Sequence, residues 1–390
     1  MFDSKGGRNA VVALVAVRLV YAVNWLNIGA IFVLMEPDLG GGVGGLGTIT
    51  SAFYLGLGIF QIPGGILAAA WGPKRVVTIG VLASSLAVLG TALSAVLLES
   101  ALFRFVAGAG MAFVFAPAVV IVAKMLKGKR SGLGVGLYNS AFDVGALAGL
   151  FAWVVIADVA GWRASLMLSG ALGVMTGLLA MVLVPRDIDA RGAREAMSHL
   201  WEIVGDSHLL LVGLGTLATD IGVALAGSFV VYFMVGTLGT GAAPAGFIGS
   251  FVFSVGIVSN LWGGRLYDRI RSPRLLMGVS NAFVALGLFL FAVGLLPVVF
   301  AAALIVGAAS GIAFTVAFAT GRDLNKSGQE YGSLAVAWVN CIGLFGAFWP
   351  PLLFSYLAEV YGYSSAWVAG GLLVLAFTAP MVVLGVRKPD

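Results

Sequence analysis

About twelve apolar runs of roughly 20 residues follow one another along this chain, each long enough to cross a ~30 Å hydrocarbon layer as a helix. They lie near residues 10–34, 45–69, 76–97, 100–123, 132–156, 164–184, 208–233, 244–266, 275–296, 298–320, 332–356 and 364–386. Membrane strands would instead read as alternating segments of about ten residues. Composition agrees, since 60% of the 390 residues are hydrophobic and 10% are charged, where a soluble domain carries about 25% charge. The chain is therefore expected to be an all-α integral membrane protein in a lipid bilayer. Its first run is too long for a signal-peptide core and reads as a retained helix.

Basic residues orient such a chain, because Arg and Lys concentrate in cytoplasmic loops. Of the 22 basic residues, all but Arg18, Arg104 and Arg163 fall on one side: Lys5 and Arg8, Lys74 and Arg75, Lys124 to Arg130, Arg186 to Arg194, Arg265 to Arg274, Arg322 and Lys326, Arg387 and Lys388. Both termini are then cytoplasmic and the number of spans is even. The expected setting is a plasma or inner membrane. The net charge of +5 follows from this asymmetry and calls for no nucleic acid. Cys341 is the one cysteine and lies within a run, so no internal disulfide can form.

The chain also repeats. "GGILAAAWGPKR" at 64–75 returns 199 residues later as "GGRLYDRIRSPR" at 263–274. Over the same offset Met35 falls on Met234, Gly47 on Gly246 and Ser51 on Ser250. Two six-helix halves of like orientation follow, 1–184 and 208–390, joined by a polar segment at 185–207 that could form a short amphipathic cytoplasmic helix. Asp268 of the second copy has Ala69 as its counterpart in the first.

Two parallel halves with G-x-L-x-D-R between the second and third helix of each resemble the major facilitator superfamily. "RFVAGAG" from Arg104 to Gly110 and the Gly161-Trp162 pair before the sixth helix are similar to further marks of that family. The resemblance implies two six-helix bundles related by a pseudo-two-fold axis, rocking about a midplane site. It also implies a cavity built mainly from helices 1, 4, 7 and 10, flanked by 2, 5, 8 and 11. The loop motif would act as a gate: a carboxylate at a cytoplasmic helix end accepts hydrogen bonds from a neighbouring helix N-terminus, aided by its dipole. Asp268 fits that role with Gly264 and Arg269, while Gly65 and Arg75 mark a first-half counterpart that lacks the acid.

Charges inside a bilayer cost at least ~2.5–3.5 kcal/mol and usually face a cavity and pair. Arg18, Arg104, Asp143 and Asp220 fall within runs. Tyr21 and Trp25 share a helical face with Arg18, and Asn24 and Asn27 cover the adjoining one. Asn139 stands one turn before Asp143. Deep polar residues of the second half include Thr216, Thr219, Asn281, Thr315 and Asn340, with Trp338 and Cys341 beside the last. Arg18, Tyr21, Asn24, Trp25, Asn27, Arg104 and Asn340 are the candidate substrate contacts, and Asp220, then Asp143, the candidate proton carriers. Gln61 and Asn260 occupy matching places in helices 2 and 8.

No H-E-x-x-H zinc helix and no G-x-x-x-x-G-K-[ST] phosphate loop occurs. An enzyme, a metal site, a cofactor and ATP as energy source are therefore not expected. The expectation is a monomeric carrier moving a small organic anion, such as a carboxylate, together with a proton. The rival is a proton-driven exporter of amphipathic compounds. The family's exporters often carry G-P-x-x-G-G in helix 5, and "GALAG" at 145–149 lacks its proline.

Overall fold

The computed structural model describes residues 5–125, 131–185, 201–324 and 332–386. The basic residues Lys127, Lys129, Arg130, Arg186, Arg191, Arg194, Lys326, Arg387 and Lys388, and most of the expected linker helix, lie outside the described residues.

Among the described residues, twelve helices are long and apolar enough to cross a membrane. In chain order they are α1 Gly6–Leu39, α2 Gly42–Ala68, α3 Pro73–Leu93, α4 Leu97–Val122, α5 Ser140–Ala160, α6 Trp162–Leu183, α7 Ser207–Leu238, α8 Ala242–Ile270, α9 Pro273–Phe291, α10 Leu296–Leu324, α11 Leu334–Tyr361 and α12 Tyr363–Leu384. Several outrun the apolar stretches that announce them, as α1 does at both ends, because helix is the one local fold that satisfies every backbone group in hydrocarbon. The helices form two six-helix bundles. Their packing repeats: α2 meets α4 as α8 meets α10, α1 meets α5 as α7 meets α11, and α3 meets α6 as α9 meets α12.

Glycine sets how closely these pairs approach. A Cβ on Gly108 of α4 would sit 2.1 Å from the Phe53 carbonyl oxygen of α2. At the matching place, a Cβ on Gly307 of α10 would sit 2.5 Å from the Phe251 oxygen of α8. Turns repeat as well. Between α2 and α3, Gly72 has φ 86, and its counterpart between α8 and α9, Arg271, has φ 45. Bends fall where prolines remove backbone donors: α4 breaks at Phe113–Val114 before Pro117, and α11 breaks at residues 347–349 before Pro350 and Pro351.

The helix ends that carry Arg75, Arg265, Arg269 and Arg274 share one face, here called the basic face. At the opposite, far face the two bundles are tied together. The Gly44 amide at the start of α2 donates to Glu359 Oε1 of α11 at 2.9 Å, and the Tyr232 hydroxyl of α7 donates to Glu36 Oε2 of α1 at 2.7 Å. Arg163, the basic residue that breaks the charge asymmetry, pairs there with Asp38 of its own half, which also accepts from Trp162 Nε1 at 2.9 Å.

Candidate functional site

Between the bundles lies a cavity of ≈ 560 Å³. Its lining comes from α1, α2, α4 and the α5 region on one side and from α7, α8, α10 and α11 on the other. It extends from the middle of the molecule toward the basic face, where Phe115, Asp143 and Phe318 line it.

Arg18 reaches this cavity from α1 and is 7% exposed. Its guanidinium carbon lies 4.5 Å from the Phe142 ring, 4.6 Å from both Tyr21 and Phe115, and 5.3 Å from Tyr138. Ring faces attract a cation without neutralising it. Its Nε and Nη1 are buried without a hydrogen-bond partner, and among the described residues no carboxylate forms an ion pair with it. Tyr21 and Trp25, three and seven residues on, share its face and line the cavity. Trp25 Nε1 donates to the Tyr54 hydroxyl of α2 at 3.3 Å.

Both aspartates line the cavity and are 8% exposed. Asp143 Oδ2 accepts from Asn260 Nδ2 of α8 at 3.0 Å, so its partner comes from the opposite bundle, and the Asn139 side chain lies outside the described residues. Asp143 also lies within electrostatic reach of Arg18. Asp220 Oδ2 is buried with no partner and lies against Gly343 of α11, where a Cβ would come within 2.1 Å of it. Asp220 and Tyr21, matching positions in the repeat, both face the same cavity, which Asn340 completes from α11.

Three candidate contacts do not reach it. Asn27 Nδ2 donates to Ser169 of α6 at 3.3 Å, and Asn24 is 1% exposed beside Gly173 of α6. Six and nine residues past Arg18, at 3.6 residues per turn, both point into the first bundle. Arg104 is also turned inward: its Nη1 donates to the Asn24 carbonyl at 2.7 Å, its Nη2 to the Trp25 carbonyl at 3.1 Å, and its guanidinium stacks 4.3 Å from the Phe53 ring. In the second bundle Thr219 and Asn281 hydrogen-bond each other at 2.7 Å, away from the cavity.

The loop motif divides in the same way. A Cβ on Gly64 would fall 2.7 Å from the Phe113 ring, and one on Gly263 would fall 3.0 Å from Ile312 Cα. The first glycine of each pair therefore serves packing. Gly65 has nothing within 4 Å, and Gly264 has Thr315 Cγ2 at 3.9 Å. Arg75, Asp268 and Arg269 are exposed, and among the described residues Asp268 makes no hydrogen bond or ion pair.

Sequence reasoning missed the rings. Phe115, Phe142, Phe253, Phe314 and Phe318 line much of the cavity, and nothing distinguishes them in sequence from lipid-facing phenylalanines. It also missed the Asn260–Asp143 contact, although Asn260 stood out as the repeat partner of Gln61.

A family model described as "Major Facilitator Superfamily" matches residues 14–324. Among curated relatives, the chain is 27% identical over 320 residues to monocarboxylate transporter 11 of Homo sapiens, covering 80% of this chain and 61% of that protein. It is 27% identical over 157 residues to a probable sulfoacetate transporter, SauU, of Cupriavidus necator, covering 40% and 36%. To probable anion transporter 6, chloroplastic, of Arabidopsis thaliana it is 25% identical over 175 residues, covering 45% and 34%. These matches span about a third to three fifths of the relatives' own length. Among solved structures, the D-xylose-proton symporter superposes with a TM-score of 0.77 at 13% identity, covering 98% of both chains. A bacterial homologue of the human lysosomal transporter Spinster, inward-facing and occupied, gives 0.72 at 17% identity over 98% of this chain and 96% of that one. At such identities the two structures speak for the fold. With the family match running through both bundles, this chain belongs to the Major Facilitator Superfamily and is a multi-pass membrane protein.

Proposed function

We propose that the protein is a proton-coupled symporter of a small organic anion, a carboxylate with an apolar body. The observation that carries this reading is Arg18, a buried guanidinium on the cavity wall that rings surround and no carboxylate pairs. A buried cation that no carboxylate pairs directly is costly even with Asp143 within electrostatic reach, and a bound anion would supply a direct partner. The phenylalanines opposite would take the apolar body, while Tyr21, Trp25 and Asn340 orient the head. Asp220 or Asp143 would load a proton from one side and release it on the other. Anion and carboxylate transport by the named relatives supports the substrate class, and the symporter among the structural neighbours is compatible with proton coupling.

Further parts of the reading concern gating and setting. The protein would act as a monomer in a plasma or inner membrane with its basic face to the cytoplasm. Asp268, with Gly264 and Arg269, would latch that face while the far face is open; Gly65 and Arg75 would form a weaker counterpart. With the bundles joined at the far face, such a latch is expected to be unmade, in keeping with the exposed Asp268.

The test is uptake of labelled short-chain and aromatic carboxylates into proteoliposomes with an imposed pH gradient. Arg18→Lys should weaken apparent affinity by roughly tenfold or more, because the planar two-pronged donor is lost although the charge remains. Arg18→Ala should abolish uptake. Wild-type carboxylate uptake in Arg18→Ala overturns the reading. The ring-rich walls also suit an amphipathic cation facing the two aspartates, so retained binding of such a cation in Arg18→Ala would select the exporter instead.

A further inference from the structure

The seam between α5 and α8 carries a polar chain that crosses from one bundle to the other. Thr315 of α10 places its hydroxyl 3.3 Å from Asn260 Oδ1, and Asn260 Nδ2 lies 3.0 Å from Asp143 Oδ2. Glycines clear the space for it. A Cβ on Gly311 would fall 3.0 Å from Asn260 Oδ1, and one on Gly256 would fall 3.6 Å from Asp143 Oδ1. A side chain at Gly311 would crowd Asn260, whereas one at Gly256 would begin at ordinary contact distance from Asp143.

Direction matters here. The one proton of the Thr315 hydroxyl is shared between the Asn260 backbone oxygen and Oδ1, each at 3.3 Å. Turned toward that hydroxyl, Oδ1 leaves the amide N–H to face the seam, and the chain ends on an acceptor. An ionised Asp143 is the stronger acceptor, since hydrogen bonds to a charged oxygen are roughly twice as strong as neutral ones. Among the described residues, the titratable groups that share the cavity with Asp143 are Arg18 and Tyr21 from α1, Tyr54 from α2 and Asp220 from α7, with Arg18 within electrostatic reach of it; α8 offers Asn260, and α10 brings no titratable side chain to the cavity.

We infer that Asn260, aimed by Thr315, is a positioning residue that ties the two bundles together according to whether Asp143 carries a proton. The inference rests on the carrier reading above and adds a device to the same site. The arrangement described, joined at the far face, is the one with the tie made. It is therefore the arrangement that binds fewer protons at Asp143. Raising pH should favour it, and lowering pH should release it.

The experiment places spin labels at Trp71, an exposed residue just past the basic end of α2, and at Ile270, an exposed residue at the basic end of α8, in a Cys341→Ser background. Distances are measured in lipid nanodiscs across a pH series. In the otherwise unchanged protein the ratio of longer-distance to shorter-distance populations should rise with pH by roughly tenfold, the scale of one hydrogen bond to a charged group. Asp143→Asn and Asn260→Leu should each flatten that response. Thr315→Val should weaken it, and it reads the same chain should Asn260→Leu fail to fold. A full pH response in Asn260→Leu or Thr315→Val, or none in the parent, overturns the tie. Proton-gradient uptake on the same preparations separates the two ideas. A parent that responds to pH yet takes up no anion refutes the symport reading alone. Anion uptake with an undiminished response in Asn260→Leu refutes the tie alone.

Discussion

Asp220 and Asp143 share burial and cavity but differ in company. Asp143 has an amide from across the seam, while Asp220 Oδ2 has none and rests against the bare backbone of Gly343. An acid with no fixed partner is the easier one to load and unload. Asp220→Asn is therefore expected to leave substrate exchange near its wild-type rate while pH-driven accumulation disappears, as read by counterflow and gradient uptake on one preparation. If both activities survive in Asp220→Asn and in Asp143→Asn, neither carries the coupling proton. Gly343→Ala belongs to the same argument: its methyl would displace the carboxylate, and misplacement near 1 Å lowers turnover by up to about a hundredfold. Uptake should fall while the detergent melting temperature stays close to that of the parent.

Among the elements, what was legible in sequence followed from local chemistry. The twelve helices were written in apolar runs, and the matched turns at Gly72 and Arg271 in a repeated motif. The face shared by Arg18, Tyr21 and Trp25 came from helical spacing. Contacts between distant segments were not legible, because spacing says which residues share a face and not what packs on it. Arg104 shows the difference. Its motif places it in the outer third of α4, and its two donors serve carbonyls of α1, tying two helices of one bundle together. Arg104→Met should accordingly lower unfolding free energy by about 2 kcal/mol, the scale of lost hydrogen bonds from a charged donor. Denaturant titration in detergent would read the loss, and the apparent substrate affinity should stay within about twofold. A large affinity loss at unchanged stability would place Arg104 at the substrate after all.

For the whole molecule, two far-face hydrogen bonds join the bundles on that side. Glu359 and Glu36 each accept a hydrogen bond from the opposite bundle, and both carboxylates lie within 4.0 Å of the place a Gly42 side chain would take. Removing the ties should release that face. Glu359→Gln combined with Tyr232→Phe should raise thiol labelling of a cysteine placed at Val223 in the cavity wall, approached from the far side, by roughly a hundredfold, the scale of two hydrogen bonds to charged acceptors. Asp268→Asn should do the reverse if the basic-face latch operates. Unchanged labelling in the double variant would show that helix packing, and not these carboxylates, closes the far face.

The two cavity aspartates also bear on how the carrier would respond to membrane voltage. A monoanion moving with one proton is electrically silent, and voltage neither helps nor hinders it. Should both Asp143 and Asp220 ferry a proton with each anion, every cycle carries one net positive charge inward. A potential of 100 mV, negative inside, then adds about 2.3 kcal/mol to the driving force, some fiftyfold in attainable accumulation. Whether a cell could gather this solute by voltage alone thus turns on whether Asp143, held by an amide from across the seam, gives up its proton in the same cycle as Asp220.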